Sequence, residues 1–254
     1  MTEGELGLVH RFVPGTRPGS PPLLLLHGTG GNEDDLLTLG QALAPGAPLL
    51  SPRGAVVENG MPRFFRRHAE GVFDLDDLRF RAQQLAEFVR AARDTYGLGE
   101  LPPIALGFSN GANIAAALLL LHPGSLSAAL LLRPMVPLVP DPLPVLNDVR
   151  VLIAAGRQDP IIDPSQPQAL ADLLGKAGAE VTLHWSNGGH SLTRADLEAA
   201  RAAGEKLHIK VLGLTSIAPD VSPELALATI ESITVLGALH ATKEIKSALA
   251  DRIR

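Results

Sequence analysis

The residue with the clearest chemical setting is Ser109, in Gly107-Phe108-Ser109-Asn110-Gly111. The apolar run Ile104-Ala105-Leu106 precedes it and an Ala/Leu-rich stretch follows. That order describes a strand that turns sharply into a helix, with a serine at the apex and small residues on either side where neighbouring chain crowds the turn. A hydroxyl placed there points into a site at a helix N-terminus, where the dipole favours developing negative charge. The plain alternative is an ordinary serine in a Gly-rich strand-to-helix turn.

Nucleophilic use of Ser109 needs a base, a group to orient the base, and donors for the oxyanion. Gly188-Gly189-His190-Ser191 offers the base in His190, just past a predicted strand. Gly156-Arg157-Gln158-Asp159-Pro160-Ile161-Ile162-Asp163 offers the acid, just past an apolar run. Asp159 is preferred, and Asp163 is the rival four residues further on. The chain order Ser, Asp, His is that of α/β-hydrolases. Leu26-His27-Gly28-Thr29-Gly30-Gly31 supplies a Gly-rich turn whose backbone N–H groups can approach a ligand. The oxyanion hole is therefore assigned to the N–H of Thr29 and of Asn110. A phosphate cradle would need Gly-Lys-Ser/Thr or G-x-G-x-x-G, and neither is present. His27 reads as a brace for its turn, and the other histidines as structural or exposed.

The elements that must hold these residues alternate. Leu23 to Leu26 reads as a buried strand, with Asn32 as a helix cap after it. Pro48 to Ser51 is a second strand. Arg53 to Phe73 shows no strong period and reads as a loop, the one segment able to cover a pocket. Its Arg63, Arg66, Arg67 and His68 read as a solvated face. Asp74 opens a long helix, with Leu75, Leu78, Leu85, Phe88 and Val89 on its apolar side, ending near Tyr96-Gly97. Ile104 to Phe108, Ala128 to Leu132, Val149 to Ala155 and Val181 to Trp185 are further strands. Helices are predicted to Leu121 after Ser109, from Gln166 to Lys176 and from Thr193 to Lys206. Near-continuous apolar strands alternating with helices predict an α/β fold: a mostly parallel sheet with helices on both faces. All the candidate residues follow strands, so they share the carboxyl edge of that sheet.

The chain has 254 residues, 46% apolar and 19% charged, enough for one large domain with a small appendage. Residues 1–206 are expected to form the catalytic domain and 207–254 the appendage. Within the latter, Ile209-Lys210-Val211-Leu212-Gly213 recurs about 24 residues on as Ile233-Thr234-Val235-Leu236-Gly237. Each copy reads as a short strand reaching a turn at its Gly. Ser222-Pro223-Glu224 starts one helix, and Lys243 to Arg252 forms another. This segment either pairs with a second chain, giving a homodimer, or packs as a subdomain on its own core or adds to the sheet edge. The formal net charge of -5, with no basic block, argues against a nucleic-acid partner. Absence of cysteine excludes thiol catalysis and Cys-ligated metals. No metal, cofactor, signal peptide or membrane span is expected, and a cytoplasmic location is the default.

The stretches LLHGTGGNEDDL, GFSNGANIA, AGRQDPII and GGHSLTRADLEAAR resemble the carboxylesterase/phospholipase family of α/β-hydrolases, which includes acyl-protein thioesterases. PRFFRRHAEGVFDLDDLRFRAQQLAEF looks like its bacterial branch of hydroquinone-type hydrolases and carboxylesterases. The resemblance runs from about Pro21 to Ala203 and implies the α/β-hydrolase fold. It puts Ser109, Asp159 and His190 in the triad places and Thr29 and Asn110 in the oxyanion places. Phe64 and Phe65 fall in the acyl-pocket places. The implied activity is cofactor-free hydrolysis of small to medium acyl or aryl esters. The thioesterases usually carry Gln at Asn110 and Leu at Thr29, which makes thioester or lysophospholipid substrates the weaker reading. A non-catalytic binding protein on the same fold is the alternative from another class. The segment after about Leu207 lies outside the family pattern.

Overall fold

The computed structural model describes residues 6–190, 207–216 and 221–252. The helix expected from Thr193 to Lys206 lies outside them. Seven strands form the central sheet: β1 (His10–Val13), β2 (Leu23–Leu26), β3 (Leu49–Pro52), β8 (Ile104–Phe108), β9 (Ala128–Leu132), β10 (Arg150–Gly156) and β11 (Glu180–Ser186). Their spatial order is β1-β3-β2-β8-β9-β10-β11, parallel except for β1 against β3. The mostly parallel sheet expected from the sequence is the one observed.

The central strands β2 and β8 read as apolar runs because both faces are covered. Leu24 and Leu26 belong to the large core shared with helices α2 (Leu75–Tyr96) and α3 (Asn110–Leu121). Leu23 and Leu25 face the other way, toward Leu37 and Leu39 of α1 (Leu37–Leu43). Burying each such leucine stabilises the fold by roughly 1.5–3 kcal/mol relative to exposure. Helix α3 is buried along its length from Asn110 to Leu120, which explains its lack of a polar face. Helix α4 (Ser165–Lys176) packs Leu170 and Leu174 into the same core as Val151 and Ile153 of β10.

Several expectations are corrected. Asn32 does not cap a helix. Its Oδ1 accepts the Asp34 N–H at 2.8 Å, closing a local turn, and α1 begins only at Leu37. Asp74 does cap α2, accepting the Asp77 N–H at 3.0 Å, but Leu75 on the first turn is exposed. The segment from Arg53 to Phe73 is not a plain loop. It folds as two small antiparallel hairpins: β4 (Val56–Glu58) with β5 (Met61–Arg63), and β6 (Arg67–Ala69) with β7 (Val72–Phe73). Arg66 ties the second hairpin to α2, its N–H reaching Asp77 at 2.7 Å and its Nε reaching Asp74 at 3.1 Å.

In the C-terminal segment, β12 (Leu207–Ser216) and β13 (Ile230–His240) pair in parallel, with helix α5 (Pro223–Thr229) between them and α6 (Lys243–Ala248) after. The two repeats lie in register, Ile209 opposite Ile233 and Val211 opposite Val235. Gly213 and Gly237 do not turn the chain as expected. They pair with each other inside strands that run on to Ser216 and His240. Ser222 caps α5, accepting the Leu225 N–H at 3.2 Å.

Candidate active site

After β2 the chain forms α1 and β3 on one side, and later returns as β8 on the other side of β2. The order therefore reverses between β2 and β8, and ligands bind outside the carboxyl ends of strands at such a point. Leu26 is paired with Gly107 in this register. The turn holding Thr29 and the turn holding Ser109 thus leave the sheet side by side.

Ser109 has φ 51° and ψ −113°, left-handed backbone that a non-glycine residue holds at a cost of about 1–3 kcal/mol. The surroundings fix it there. Its N–H donates to Leu132 O at 2.8 Å, and its carbonyl accepts the Asn113 N–H at 3.0 Å. The flanking glycines are required by contact. A Cβ on Gly107 would lie 2.6 Å from Gly111 O, and one on Gly111 would lie 1.9 Å from Leu26 O. A Cβ on Gly28 would strike the Phe108 ring at 2.8 Å.

Asp159 and His190 meet across the ends of β10 and β11. His190 Nδ1 donates to Asp159 Oδ2 at 2.7 Å. The carboxylate side chain is 2% exposed and the imidazole 20%. The other oxygen, Oδ1, accepts the Ile161 and Ile162 N–H groups at 2.9 and 3.1 Å, so the carboxylate cannot rotate freely. Donation from Nδ1 leaves Nε2 as the acceptor nitrogen. The rival Asp163 is exposed and accepts the Ser165 N–H at 2.8 Å, a turn at the start of α4. Hydrogen bonding to the Ser165 side chain, and then to its N–H, holds the Asp163 carboxyl below the ordinary range. His190 lies against Phe108, ring centroids 5.1 Å apart, which sets the imidazole beside the residue that precedes Ser109. A Cβ on Gly156 would meet Gly188 O at 2.4 Å, so the acid and base loops are in backbone contact.

His27 braces its turn as expected. Its Nε2 accepts the Gly54 N–H at 3.0 Å, so Nδ1 carries the proton and donates to Gly28 O at 2.7 Å. Burial pushes its pKa below the ordinary histidine value. Among the described residues, no backbone carbonyl takes the N–H of Thr29 or of Asn110. The Asn110 side chain is buried, its Oδ1 accepting the Phe64 N–H at 2.7 Å. Phe64 packs against His27 at 4.7 Å between centroids, and Phe65 stands edge-on to Phe73 at 5.1 Å. Phe65 has 0% exposure, while Phe64 keeps a small exposed surface.

Two residues near the site were not picked out from the sequence. Arg63 was read as solvated, but its side chain is 4% exposed and its Nη1 donates to Thr29 Oγ1 at 2.6 Å. Arg66 and Arg67 on the same stretch are paired with acids at the surface. Arg133, also buried, donates to Gly189 O at 3.0 Å and Ala154 O at 3.2 Å, joining the end of β10 to the histidine loop. Its one sequence signal was a cation directly after a buried strand. No group of side chains suited to a metal occurs among the described residues, and none of their helices is long and apolar enough to cross a membrane.

The chain is 48% identical over 179 residues to the putative hydrolase MhqD of Bacillus subtilis (strain 168), covering 70% of this chain and 90% of that one. It is 48% identical to the Bacillus cereus carboxylesterase, whose crystal structure superposes with a TM-score of 0.73 over 76% of this chain and 91% of that one. A Mesorhizobium loti carboxylesterase is 33% identical, with a TM-score of 0.72 over 80% and 97% of the two chains. The ribbon-helix-helix transcriptional regulator family also matches, over residues 169–246. That span takes in most of α4 and all of β11, which belong to the central sheet and its helices.

Proposed function

Because the chain belongs to the carboxylesterases of the α/β-hydrolase type, we propose that it hydrolyses small to medium acyl or aryl esters through an acyl-enzyme on Ser109. The observation that carries this reading is the hydrogen bond from His190 to the buried, immobilised Asp159, with the imidazole against Phe108, the residue before a serine held in a strained strand-to-helix turn. Ser109 Oγ attacks the ester carbonyl while His190 Nε2 takes its proton. Asp159 keeps the imidazole in the required tautomer and stabilises the imidazolium. The N–H groups of Thr29 and Asn110 hold the oxyanion, and the helix dipole of α3 supports them. His190 returns the proton to the leaving alcohol. Water then attacks the acyl-enzyme through the same base. No step calls for a cofactor.

Phe64 is the residue suited to meet the acyl group, with Phe65 behind it. The hairpins from Val56 to Phe73 are tied down through Arg63, Arg66 and Arg67. They serve as a fixed wall that limits substrate size, in place of a moving lid. Residues 207–254 are proposed to be an appendage to a catalytic part that ends near residue 206. The regulator-family match favours a second reading for that appendage, nucleic-acid binding. Its charges oppose it: Lys210, Lys243, Lys246, Arg252 and Arg254 are balanced by Asp220, Glu224, Glu231, Glu244 and Asp251, leaving no excess to neutralise phosphates.

Turnover of p-nitrophenyl acetate, butyrate and octanoate by wild type and Ser109→Ala tests the esterase reading, with a fluorophosphonate label traced to its residue. Activity on the shorter esters, lost by on the order of 10⁶ in the variant, with label on Ser109, is the expected result. A folded protein that neither turns over nor takes label would overturn it. A parallel panel of acyl thioesters separates oxyester from thioester preference.

A further inference from the structure

Three consecutive residues of the first hairpin and its exit hold both sides of the Ser109 site. Arg63 Nη1 donates to Thr29 Oγ1 at 2.6 Å, and its Nε donates to Phe65 O at 3.3 Å. The same Nε lies 3.3 Å from Glu58 Oε2, the counter-charge this buried cation needs. One residue on, the Phe64 N–H donates to Asn110 Oδ1 at 2.7 Å. One residue back, Pro62 O accepts the Gly30 N–H at 2.9 Å. Gly54 closes the arrangement from below. A Cβ there would lie 2.3 Å from the Arg63 backbone, and its N–H is the one that His27 accepts.

These contacts fall on the two residues whose backbone N–H groups face the oxyanion in the esterase reading. Such donors stabilise a transition state only if they are fixed before charge develops. The turn from Gly28 to Gly31 has three glycines among its four residues, and Gly30 has φ +82°. Glycine leaves that backbone free to move unless something outside it holds it. A guanidinium can do this, because its planar fork bonds several acceptors at once.

On the basis of that esterase reading, we propose that Pro62-Arg63-Phe64 is a clamp that sets the oxyanion hole, with Arg63 as a positioning residue acting through Thr29. The clamp ties Phe64, the acyl-facing wall, to the same hydrogen bonds that place the donors. Loosening it therefore affects the rate of acyl transfer more than the binding of ester.

Thr29→Val removes the acceptor but keeps the N–H, and Thr29→Ser restores the acceptor. On p-nitrophenyl acetate, Thr29→Val should lower kcat about tenfold, less than the loss of a whole donor. KM should stay within about twofold, and the acidic limb of the pH profile of kcat/KM should not move, since His190 is untouched. Thr29→Ser should recover most of the rate. Arg63→Met should show the same loss, and combining it with Thr29→Val should add nothing further. A Thr29→Val enzyme with wild-type kcat, or two losses that multiply, overturns the proposal. If Arg63→Met does not fold, the valine and serine pair still decides. Hydrogen exchange of the amides from Gly28 to Gly31 reads the clamp independently of turnover. Faster exchange in Thr29→Val than in wild type supports it, and unchanged exchange overturns it. Wild type that neither turns over ester nor takes label on Ser109 counts against the esterase reading, and the exchange result then judges the clamp alone.

Discussion

At the scale of single residues, His27 makes the clearest pH prediction. Folded, it is neutral and buried, its Nε2 committed to the Gly54 N–H. With its folded pKa depressed, the unfolded chain takes up the proton first as pH falls. Stability is therefore intact above the unfolded value of about 6.5 and declines below it, by up to about 1.4 kcal/mol per pH unit until the folded group titrates. Urea unfolding at pH 7.5 and at pH 5.5 should show that loss, and His27→Gln should flatten it. Burial also lowers His122, so some dependence will remain. Asp159→Asn should leave the fold intact and lower kcat by roughly 10⁴, since an amide cannot hold the imidazole in the tautomer that accepts from Ser109. Steady-state kinetics on a variant with wild-type thermal unfolding checks that.

At the scale of elements, the glycines around the elbow separate contact from backbone freedom. Gly111→Ala would drive a Cβ onto Leu26 O, where both partners are backbone and neither can yield. Its cost should exceed the 1–3 kcal/mol usual for overpacking, and thermal melts should show loss of the folded state. Gly175, exposed in α4 with nothing within 4 Å, is the control. Gly175→Ala should stabilise by about 0.5–1 kcal/mol through helix propensity. The same contrast explains what was readable beforehand. Strands buried on both faces show as apolar runs, so β2, β8, β9 and β10 were legible. Ser109 and Asp159 follow such strands, His190 follows the edge strand β11, and all three sit in recognisable turns. The edge strand β1, His10–Val13, has only two apolar residues, Phe12 and Val13, and gave no such run. Strands β4 to β7 have two or three residues each, too few to show a period. Arg63 was misread because its partner Thr29 lies 34 residues away, and only the tertiary fold shows that the cation is covered.

At the scale of the whole molecule, the relation between the catalytic part and residues 207–254 decides how the chain behaves in solution. MhqD and the B. cereus carboxylesterase are matched over nine-tenths of their own lengths by 70% and 76% of this chain. The rest of this chain lies outside those two matches. Every contact that orders Ser109, Asp159, His190 and Thr29 in the described structure comes from residues before 191. Truncation to residues 1–206 should accordingly leave kcat and KM for p-nitrophenyl acetate within about twofold of the full chain. The pairing of β12 with β13 engages one edge of each strand, and a two-stranded sheet is marginal on its own. Among the described residues no other strand pairs with them, so their outer edges offer backbone groups to a further strand. If that strand comes from a second copy, light scattering will give a dimer for the full chain and a monomer for the truncation, with activity per active site unchanged. The same number of subunits in both would place the appendage in the fold of its own chain. A truncation that is folded but inactive would show that residues 207–254 help build the site, against the length relation with the two bacterial hydrolases.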